Sequence, residues 1–190
     1  NTQLVVTVGQ VIARKGTDLF VAAALELLNR FQDAHFLVVG ACFSRKSESE
    51  KFVADLHAAV ANRDAPDRIH FLGYRDDALA ILSQADIAVQ PSRQDPLCRV
   101  LLEAAACGRA IVTTDVGGTR EIFPPECDAA VVIDPNDSAA LREAIDSLLA
   151  DADMRSERGI KARARAESAF DIQQAAVNLL RHYDEVASVE

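Results

Sequence analysis

The chain has 190 residues, the size of one ordinary domain, and 49% of them are hydrophobic, which is enough to bury a core. Its formal net charge of −9 argues against a surface built to bind nucleic-acid backbones, because such surfaces carry basic patches. No apolar run approaches the roughly 20 residues that span a bilayer. We therefore predict one globular domain, residues 1–190, without a nucleic-acid partner.

Short apolar segments alternate with helical patterns along most of the chain. Strands are predicted at residues 4–9, 36–39, 69–72, 87–90, 110–114 and 130–133. Helices are predicted at residues 16–31, 47–61, 78–83 and 97–107. Near-continuous apolar strands that alternate with helices indicate a parallel sheet covered on both faces. We predict an α/β fold, a Rossmann-like doubly wound parallel sheet of about six strands with helices on both faces.

The remainder of the chain, from Asp137, has a helical pattern. Ser138 is predicted to cap a helix that runs to about residue 150. A basic segment, MRSERGIKARARAES, then leads to a final helix over residues 172–186. The chain starts at Asn1 directly before the first strand, which favours its excision from something longer.

The cysteines are widely spaced, form no C-x-x-C pair, and mostly adjoin small or apolar residues. Such a setting is typical of buried free thiols in a reducing compartment. We therefore predict no disulfide and no zinc site, and a cytoplasmic location. These cysteines are Cys42, Cys98, Cys107 and Cys127.

The stretch PSRQDPLCRVLLEAAACG, residues 91–108, joins a buried strand to a helix through an acidic loop. Asp95 lies in the loop, and Glu103 follows eight positions later in a helix predicted to start near Leu97. The unpaired N–H groups of a helix N-terminus bind phosphate, and carboxylates accept hydrogen bonds from paired sugar hydroxyls. A nucleotide sugar, with hydroxylated rings at both ends of a diphosphate, suits this layout.

The pattern PS-x-x-D-x7-E-A-A-A-x-G resembles the acid-x7-Glu motif of the retaining, family 4 (group 1) glycosyltransferases, which have the GT-B fold. The resemblance implies that Asp95 contacts the donor hexose and Glu103 the ribose. It also implies that the amides near Leu97, Cys98 and Arg99 stabilise the leaving diphosphate. The family usually has Glu at the first position, and the Asp95 carboxylate reaches one methylene less far.

The loop GQVIARKG, after the first strand, is similar to the family segment G-R-x4-K-G, whose Arg and Lys bind the donor diphosphate. The loop runs from Gly9 to Gly16, and Lys15 and Gly16 match that pattern. Gln10 stands where the family has Arg, which removes a bidentate phosphate contact. The neighbouring Arg14 is a candidate to compensate.

Three further loops follow predicted strands, where ligands of open parallel sheets bind. Gly40 follows the second strand and allows close backbone approach. Leu72, Gly73 and Tyr74 resemble the family segment F-L-G-x, which holds the nucleobase.

The third of these loops, TDVGGTRE, contains Gly117 and Gly118 and resembles the family segment T-x-x-G-G-x-x-E. The two glycines allow a positive φ and close approach to a phosphate or sugar. An ordinary strand-to-helix turn explains this segment equally well.

Each candidate also has a purely structural interpretation. Asp95 could be a loop or helix-capping acid, Glu103 a solvated helix residue, and Arg14 with Lys15 a solvated basic pair. Tyr74 could be a surface aromatic. The order and spacing of the motifs together favour function.

No histidine lies in a loop that follows a strand, so no general base is assigned, and no cluster has metal-ligand spacing. This agrees with the family resemblance, which implies diphosphate binding without a metal and no cofactor besides the donor substrate. A plain Rossmann oxidoreductase is disfavoured because G-x-G-x-x-G is missing after the first strand.

The resemblance implies that the chain is the donor-binding C-terminal half of a hexosyltransferase of polysaccharide, lipopolysaccharide or glycolipid synthesis. Asp95, Glu103 and Lys15 are the predicted catalytic residues. The partners are a nucleotide-sugar donor and the absent N-terminal acceptor domain, which could hold the protein peripherally at the inner face of the membrane. The fragment alone would bind donor without transferring sugar. Alternatives are a non-catalytic GT-B-like module, which Gln10 and Asp95 motivate, and a nucleotide-sugar epimerase.

Overall fold

The computed structural model describes residues 2–63 and 67–187. Within these residues the strands are Gln3–Val8 (β1), Ala34–Val39 (β2), Ile69–Gly73 (β3), Ile87–Gln90 (β4), Ala110–Thr114 (β5) and Val131–Ile133 (β6). The α-helices are Thr17–Leu27 (α1), Ser47–Ala61 (α2), Ala78–Gln84 (α3), Arg99–Ala106 (α4), Thr119–Ile122 (α5), Ser138–Ala150 (α6), Ala152–Ala169 (α7) and Ile172–Ala187 (α8). Short 3-10 helices cover Ala13–Lys15 and Pro125–Cys127.

The strands form one sheet in the order β3-β2-β1-β4-β5-β6, and all neighbouring strands are parallel. After β3 the chain returns to the other side of β1, so the strand order reverses between β1 and β4. At such a reversal the loops diverge and leave a crevice outside the carboxyl ends of the strands, where ligands bind. The predicted Rossmann-like doubly wound sheet of about six strands is confirmed.

Apolar layers cover both faces of the sheet. On β4, Ile87 packs into a core layer with residues of α1, α2 and α6. The next residue, Ala88, packs into a second layer with residues of α3, α4, α5 and α7. Successive side chains of a strand point to opposite faces, so burial of both requires an almost continuous apolar sequence. This explains why these strands read as apolar runs.

Helix α4 begins at Arg99 rather than near Leu97, which corrects the prediction. The carbonyl of Pro96 accepts a 2.8 Å hydrogen bond from the amide of Gly118, in the loop after β5. Cys98 keeps an extended backbone, with φ −81° and ψ 97°. This contact between two loops therefore keeps Leu97 and Cys98 outside α4. The local sequence does not encode such a contact.

The cap of α6 also differs from the prediction. Asp137 caps this helix because its Oδ1 accepts a 2.8 Å hydrogen bond from the amide of Ala140. Ser138 is the first helical residue instead. Asp151 caps α7 in the same way, through the amide of Met154 at 2.9 Å.

The basic segment of residues 154–168 lies within α7, and its side chains bind the carboxyl ends of other helices. The last carbonyls of a helix have no partner inside that helix, so a donor from elsewhere satisfies them. Helix α7 thereby ties α4, α5 and α6 together. The contacts join Arg155 to the Leu148 carbonyl (2.5 Å), Arg163 to the Ala106 carbonyl, and Arg165 to the Ile122 carbonyl (2.8 Å).

Helix α8 is exposed along its whole length. Among the residues that the structure describes, no helix is both long enough and apolar enough to cross a membrane. The large apolar side chains that α8 leaves exposed are Ile172, Val177, Leu179, Leu180, Tyr183 and Val186.

Candidate functional site

The loops after β1, β4 and β5 converge at the carboxyl edge of the sheet. Gly16 has a φ of 71°, and an added Cβ there would stand 1.9 Å from the carbonyl oxygen of Pro91. Gly117 has a φ of 49°, and its Cβ would stand 1.9 Å from the carbonyl oxygen of Asp95. These positions admit only glycine because the neighbouring loop occupies the space of a side chain. The glycines bring the loops together, and a contact of Gly117 or Gly118 with a ligand stays a prediction.

Gly9 and Gly40 join the loops after β1 and β2. The amide of Gly9 donates to the carbonyl of Val39 (2.9 Å), and the amide of Gly40 donates to the carbonyl of Gly73 (2.8 Å). A Cβ on Gly40 would stand 1.8 Å from the carbonyl oxygen of Gly9. The structure therefore places these predicted donor-site residues at one edge of the sheet.

Two of the predicted catalytic residues form an ion pair. Nζ of Lys15 donates to Oδ2 of Asp95 over 2.5 Å, although the residues are 80 positions apart in the chain. The side chains are 19% and 8% exposed, respectively. An ammonium group has three N–H donors, so Lys15 can bind an anion while it stays bonded to Asp95. A cation and a carboxylate thus lie together in the crevice between β1 and β4.

The thiol of Cys98 is close to this ion pair. Burial, and after it the charge of Asp95, raise the pKa of the thiol to about 11, against a smaller opposing effect of Lys15. The thiol is therefore neutral near pH 7, and the thiolate is the reactive form of cysteine. A thiol held neutral in this way is a poor nucleophile.

Gln10, which departs from the family pattern, and Arg14, the candidate to compensate for it, are both exposed. The side chain of Gln10 makes no hydrogen bond within residues 2–63 and 67–187. Nη1 of Arg14 donates to the carbonyl of Gln94 over 3.0 Å, so this guanidinium lies against the loop after β4. Compensation by Arg14 for the charge that Gln10 lacks stays a prediction.

Glu103 and Arg99 lie on α4, at its fifth and first residues. Both side chains are exposed, and neither has a hydrogen bond or an ion pair among the described residues. The first backbone N–H groups of α4 have no partner inside the helix, so they can bind an anion beside Asp95. Glu103 stands about one turn further along. Along the chain, one acid therefore precedes the helix N-terminus and the other follows it.

An apolar recess of about 220 Å³ opens between the ends of β1 and β2 and the start of α3. Tyr74 lines it, but Leu72 and Gly73 do not, so only one of the three predicted nucleobase residues reaches this recess. Phe43 lines it too and meets Tyr74 edge to face, with ring centroids 6.0 Å apart. A hydrogen bond to Asp76 raises the pKa of Tyr74 above its usual value. The recess can accept a flat apolar ring.

Comparison with known proteins decides the family. Residues 1–165 match the family model described as Glycosyl transferases group 1. The chain belongs to this family. The resemblance of its sequence motifs to group 1 glycosyltransferases is thereby confirmed.

Relatives of this group 1 chain include two bacterial proteins. It is 28% identical over 185 residues to spore coat protein SA of Bacillus subtilis, covering 96% of this chain and 48% of that protein. It is 30% identical over 194 residues to alpha-maltose-1-phosphate synthase of Mycolicibacterium smegmatis, covering 99% and 49%. The chain therefore spans about half the length of the curated relatives it matches.

Solved structures show the same fold. Sucrose-phosphate synthase from Thermosynechococcus elongatus superposes with a TM-score of 0.84 at 27% identity, over 100% of this chain and 47% of that one. Alr3699/HepE of Anabaena, in complex with UDP, superposes with a TM-score of 0.83 at 23% identity, over 95% and 49%. At 23% identity, the similarity to Alr3699/HepE is a similarity of fold alone.

Some cavities of this group 1 domain are larger than the recess. One of about 530 Å³ borders the loop after β1, and Gln10 and Arg14 are among its lining residues. Others, of about 410 Å³ and about 300 Å³, are lined by none of the predicted site residues. Because the predicted site residues line only the cavities beside the loop after β1, we assign the candidate site of the group 1 domain to the carboxyl edge.

The histidines of this group 1 domain lie away from that edge. Nδ1 of His35 on β2 is 3.0 Å from Nε2 of His70 on β3, and the two rings stack. His57 on α2 packs against Phe71, with ring centroids 4.2 Å apart. Over residues 2–63 and 67–187, no three His, Cys, Asp or Glu side chains come together in a way that could hold a metal ion. Donor binding without a metal stays a prediction.

Sequence reasoning missed Phe43 and Arg93. Phe43 had one signal, an aromatic residue three positions after the glycine that ends β2. Arg93 lies between Pro91 and Asp95 within the motif, yet its immediate sequence does not indicate its hydrogen-bond partners. Its contacts, described below, come from loops that are distant in the chain.

Proposed function

We propose that this chain is the donor-binding half of a retaining glycosyltransferase, which transfers a hexose from a nucleotide diphosphate sugar to an acceptor. The observation that carries the proposal is the Lys15–Asp95 pair beside the N-terminus of α4, with Glu103 one turn further along. Solved structures of Alr3699/HepE are complexes with UDP and with UDP-glucose, which supports a donor of this class for a domain with the same fold.

Each residue has a chemical role in this proposal. Glu103 accepts hydrogen bonds from the ribose hydroxyls, and Asp95 accepts them from the hexose. When the bond between the anomeric carbon and the diphosphate oxygen breaks, its electron pair stays on the diphosphate. Lys15 and the first amides of α4 stabilise that developing charge. Cationic groups and helix amides thus take the place of a metal.

The nucleobase of the donor fits the recess beside Tyr74 and Phe43. This recess is on the same side of the sheet as α3, whose first residue, Ala78, also lines it. Helix α4, which carries Glu103, packs in the same core layer as α3. On this face of the sheet, one donor can therefore place its base in the recess and its ribose beside Glu103.

The full-length protein would contain a second domain that binds the acceptor and faces the carboxyl edge. The relatives are about twice as long as this chain, which supports a further domain. Helix α8 supports it as well, because its exposed Ile172, Leu180, Tyr183 and Val186 need an apolar partner surface. We propose a cytoplasmic enzyme that works in cell-envelope polysaccharide synthesis, in keeping with its similarity to spore coat protein SA.

Titration calorimetry of the full-length protein tests the donor proposal. UDP, GDP and ADP, followed by their sugar conjugates, are titrated with magnesium and again with EDTA. We expect one nucleotide to bind, with the same affinity under both conditions. Affinity that EDTA abolishes would contradict the metal-free site. Binding of a nucleotide sugar without release of nucleotide in the presence of any acceptor would favour a non-catalytic module.

A further inference from the structure

Arg93 lies two residues before Asp95, and its guanidinium reaches segments that follow two other strands. Nη1 and Nη2 donate to the two carboxylate oxygens of Asp18, each over 2.7 Å. Nη1 also donates to the carbonyl of Ala13 over 2.6 Å, and Nε donates to Oδ1 of Asn136 over 2.7 Å. One side chain therefore bridges the loop after β4 to the segments after β1 and β6. We call this set of contacts the Arg93 clamp.

The clamp holds the turn that carries Lys15. Ala13 and Lys15 belong to the same 3-10 helix, Ala13–Lys15, so the bond to the Ala13 carbonyl restrains that turn directly. The backbone adds to this, because the amide of Arg93 donates to the carbonyl of Arg14 over 2.8 Å. The segment of Arg93 itself carries Asp95. Both members of the Lys15–Asp95 pair are thus tied to one guanidinium.

The chemistry of the clamp favours a fixed geometry. The hydrogen bond to Asp18 raises the pKa of Arg93, against the effect of burial, so the guanidinium is charged at every working pH. A bidentate pair between Arg and a carboxylate fixes orientation as well as distance. The side chains of Arg93 and Asp18 are 28% and 36% exposed. Solvent therefore screens the attraction between their charges, but the bidentate geometry of the pair is kept.

We propose that Arg93 is a positioning residue of the donor site: it sets the distance between Lys15 and Asp95 without touching the donor. This inference rests on the donor-binding function proposed above. The diphosphate and the hexose must meet Lys15 and Asp95 at the same moment in the transition state. A displacement of about 1 Å between catalytic groups can cost a large factor in rate, so loss of the clamp lowers kcat more than it raises KM.

The test measures nucleotide release from UDP-glucose by the full-length protein, with other nucleotide sugars as further probes. Arg93→Gln removes the guanidinium and its bidentate bonds to Asp18. Arg93→Lys keeps a positive charge but cannot form the bidentate pair. Arg30→Gln is the matched control, because Arg30, in the turn after α1, pairs with Asp146 of α6 over 2.7 Å outside the site. Hydrogen–deuterium exchange of residues 9–18 reports the order of the loop independently of activity.

We expect Arg93→Gln to lower kcat by at least about ten-fold with a smaller change in KM, and to speed exchange over residues 9–18. Arg93→Lys should recover part of the rate, and Arg30→Gln should keep the wild-type kcat. A lower melting temperature with unchanged kcat would overturn the inference, because Arg93 would then be merely structural. An effect on KM alone would also overturn it, since Arg93 would then contact the donor.

The two proposals fail in different ways. If the wild-type protein releases nucleotide from no nucleotide sugar, the proposed function fails and the donor-positioning role fails with it. If the wild type is active and Arg93→Gln matches it in kcat and in exchange, only the role of Arg93 is refuted.

Discussion

The ammonium of Lys15 and the carboxylate of Asp95 are 2.5 Å apart, and each comes from a different sequence motif. They meet because β1 and β4 are neighbours in the sheet, with Val5 opposite Ile87. The residue proposed to bind the diphosphate is thereby bonded to the residue proposed to bind the hexose. The pair makes the stability of the site and its chemistry depend on the same contact.

Asp95→Asn should lower the free energy of unfolding by about 1–3 kcal/mol, because it leaves the largely buried Lys15 ammonium without its charged partner. Urea unfolding measures this. Asp128→Asn is the matched control, since Asp128 pairs with Arg158 and Lys161 but its side chain is 55% exposed. A surface pair contributes about 0–1 kcal/mol. Equal losses of unfolding free energy in the two variants would show that the buried Lys15–Asp95 pair stabilises the protein no more than a surface pair does.

Glu103→Ala should weaken nucleotide binding by about 1–3 kcal/mol, the range for loss of a charge-assisted hydrogen bond. Stability should hardly change, because the Glu103 side chain is exposed and has no hydrogen bond or ion pair within the described part of the chain. Titration calorimetry of the full-length protein measures the affinity. Glu50→Ala, at an exposed glutamate of α2, is the control. Unchanged affinity with a collapsed melting temperature would make Glu103 a structural residue.

Gly117→Ala should destabilise the protein more than Gly73→Ala. Both glycines have positive φ, which costs an L-residue about 1–2 kcal/mol. At Gly73 no atom lies within 4 Å of an added Cβ, whereas at Gly117 the carbonyl oxygen of Asp95 lies at 1.9 Å. The loop with Asp95 must therefore move in the first variant only. Urea unfolding compares the two, and equal losses would contradict the loop packing described above.

The His70 side chain should make the free energy of unfolding depend on pH. Burial, and after it the charge of His35, lower the pKa of His70 below its usual 6.5, with Asp67 opposing. Near pH 6.5 the folded state therefore binds fewer protons than the unfolded state, so stability falls as the pH drops from 6.5 through the lower folded pKa. Urea unfolding between about pH 8 and about pH 5 measures this slope. His70→Gln should flatten it, and an unchanged slope would assign it to other groups.

The sequence alone predicted the sheet and most of its helices. Helix α2 was predicted at its observed bounds, and the apolar runs located both ends of each strand to within two residues. Hydrophobic periodicity succeeds here because it reflects the local geometry of each element and its burial on both faces. The motif containing Asp95 and Glu103 likewise indicated the family that the comparison confirmed.

The tertiary structure decided how distant loops meet. The start of α4 at Arg99 depends on a bond from Gly118 to Pro96, and the recess depends on Phe43 meeting Tyr74. No periodicity encodes such contacts, because they arise between segments that only the strand order brings together.

The amino-acid sequence by itself thus determined the fold class, the family motif and the residues available for donor chemistry. Only the tertiary structure decided that Lys15 pairs with Asp95 and that Arg93 binds Asp18, Ala13 and Asn136 at once. The physical reason is the reversal of strand order between β1 and β4. It places loops 80 residues apart in the chain within hydrogen-bond distance of each other.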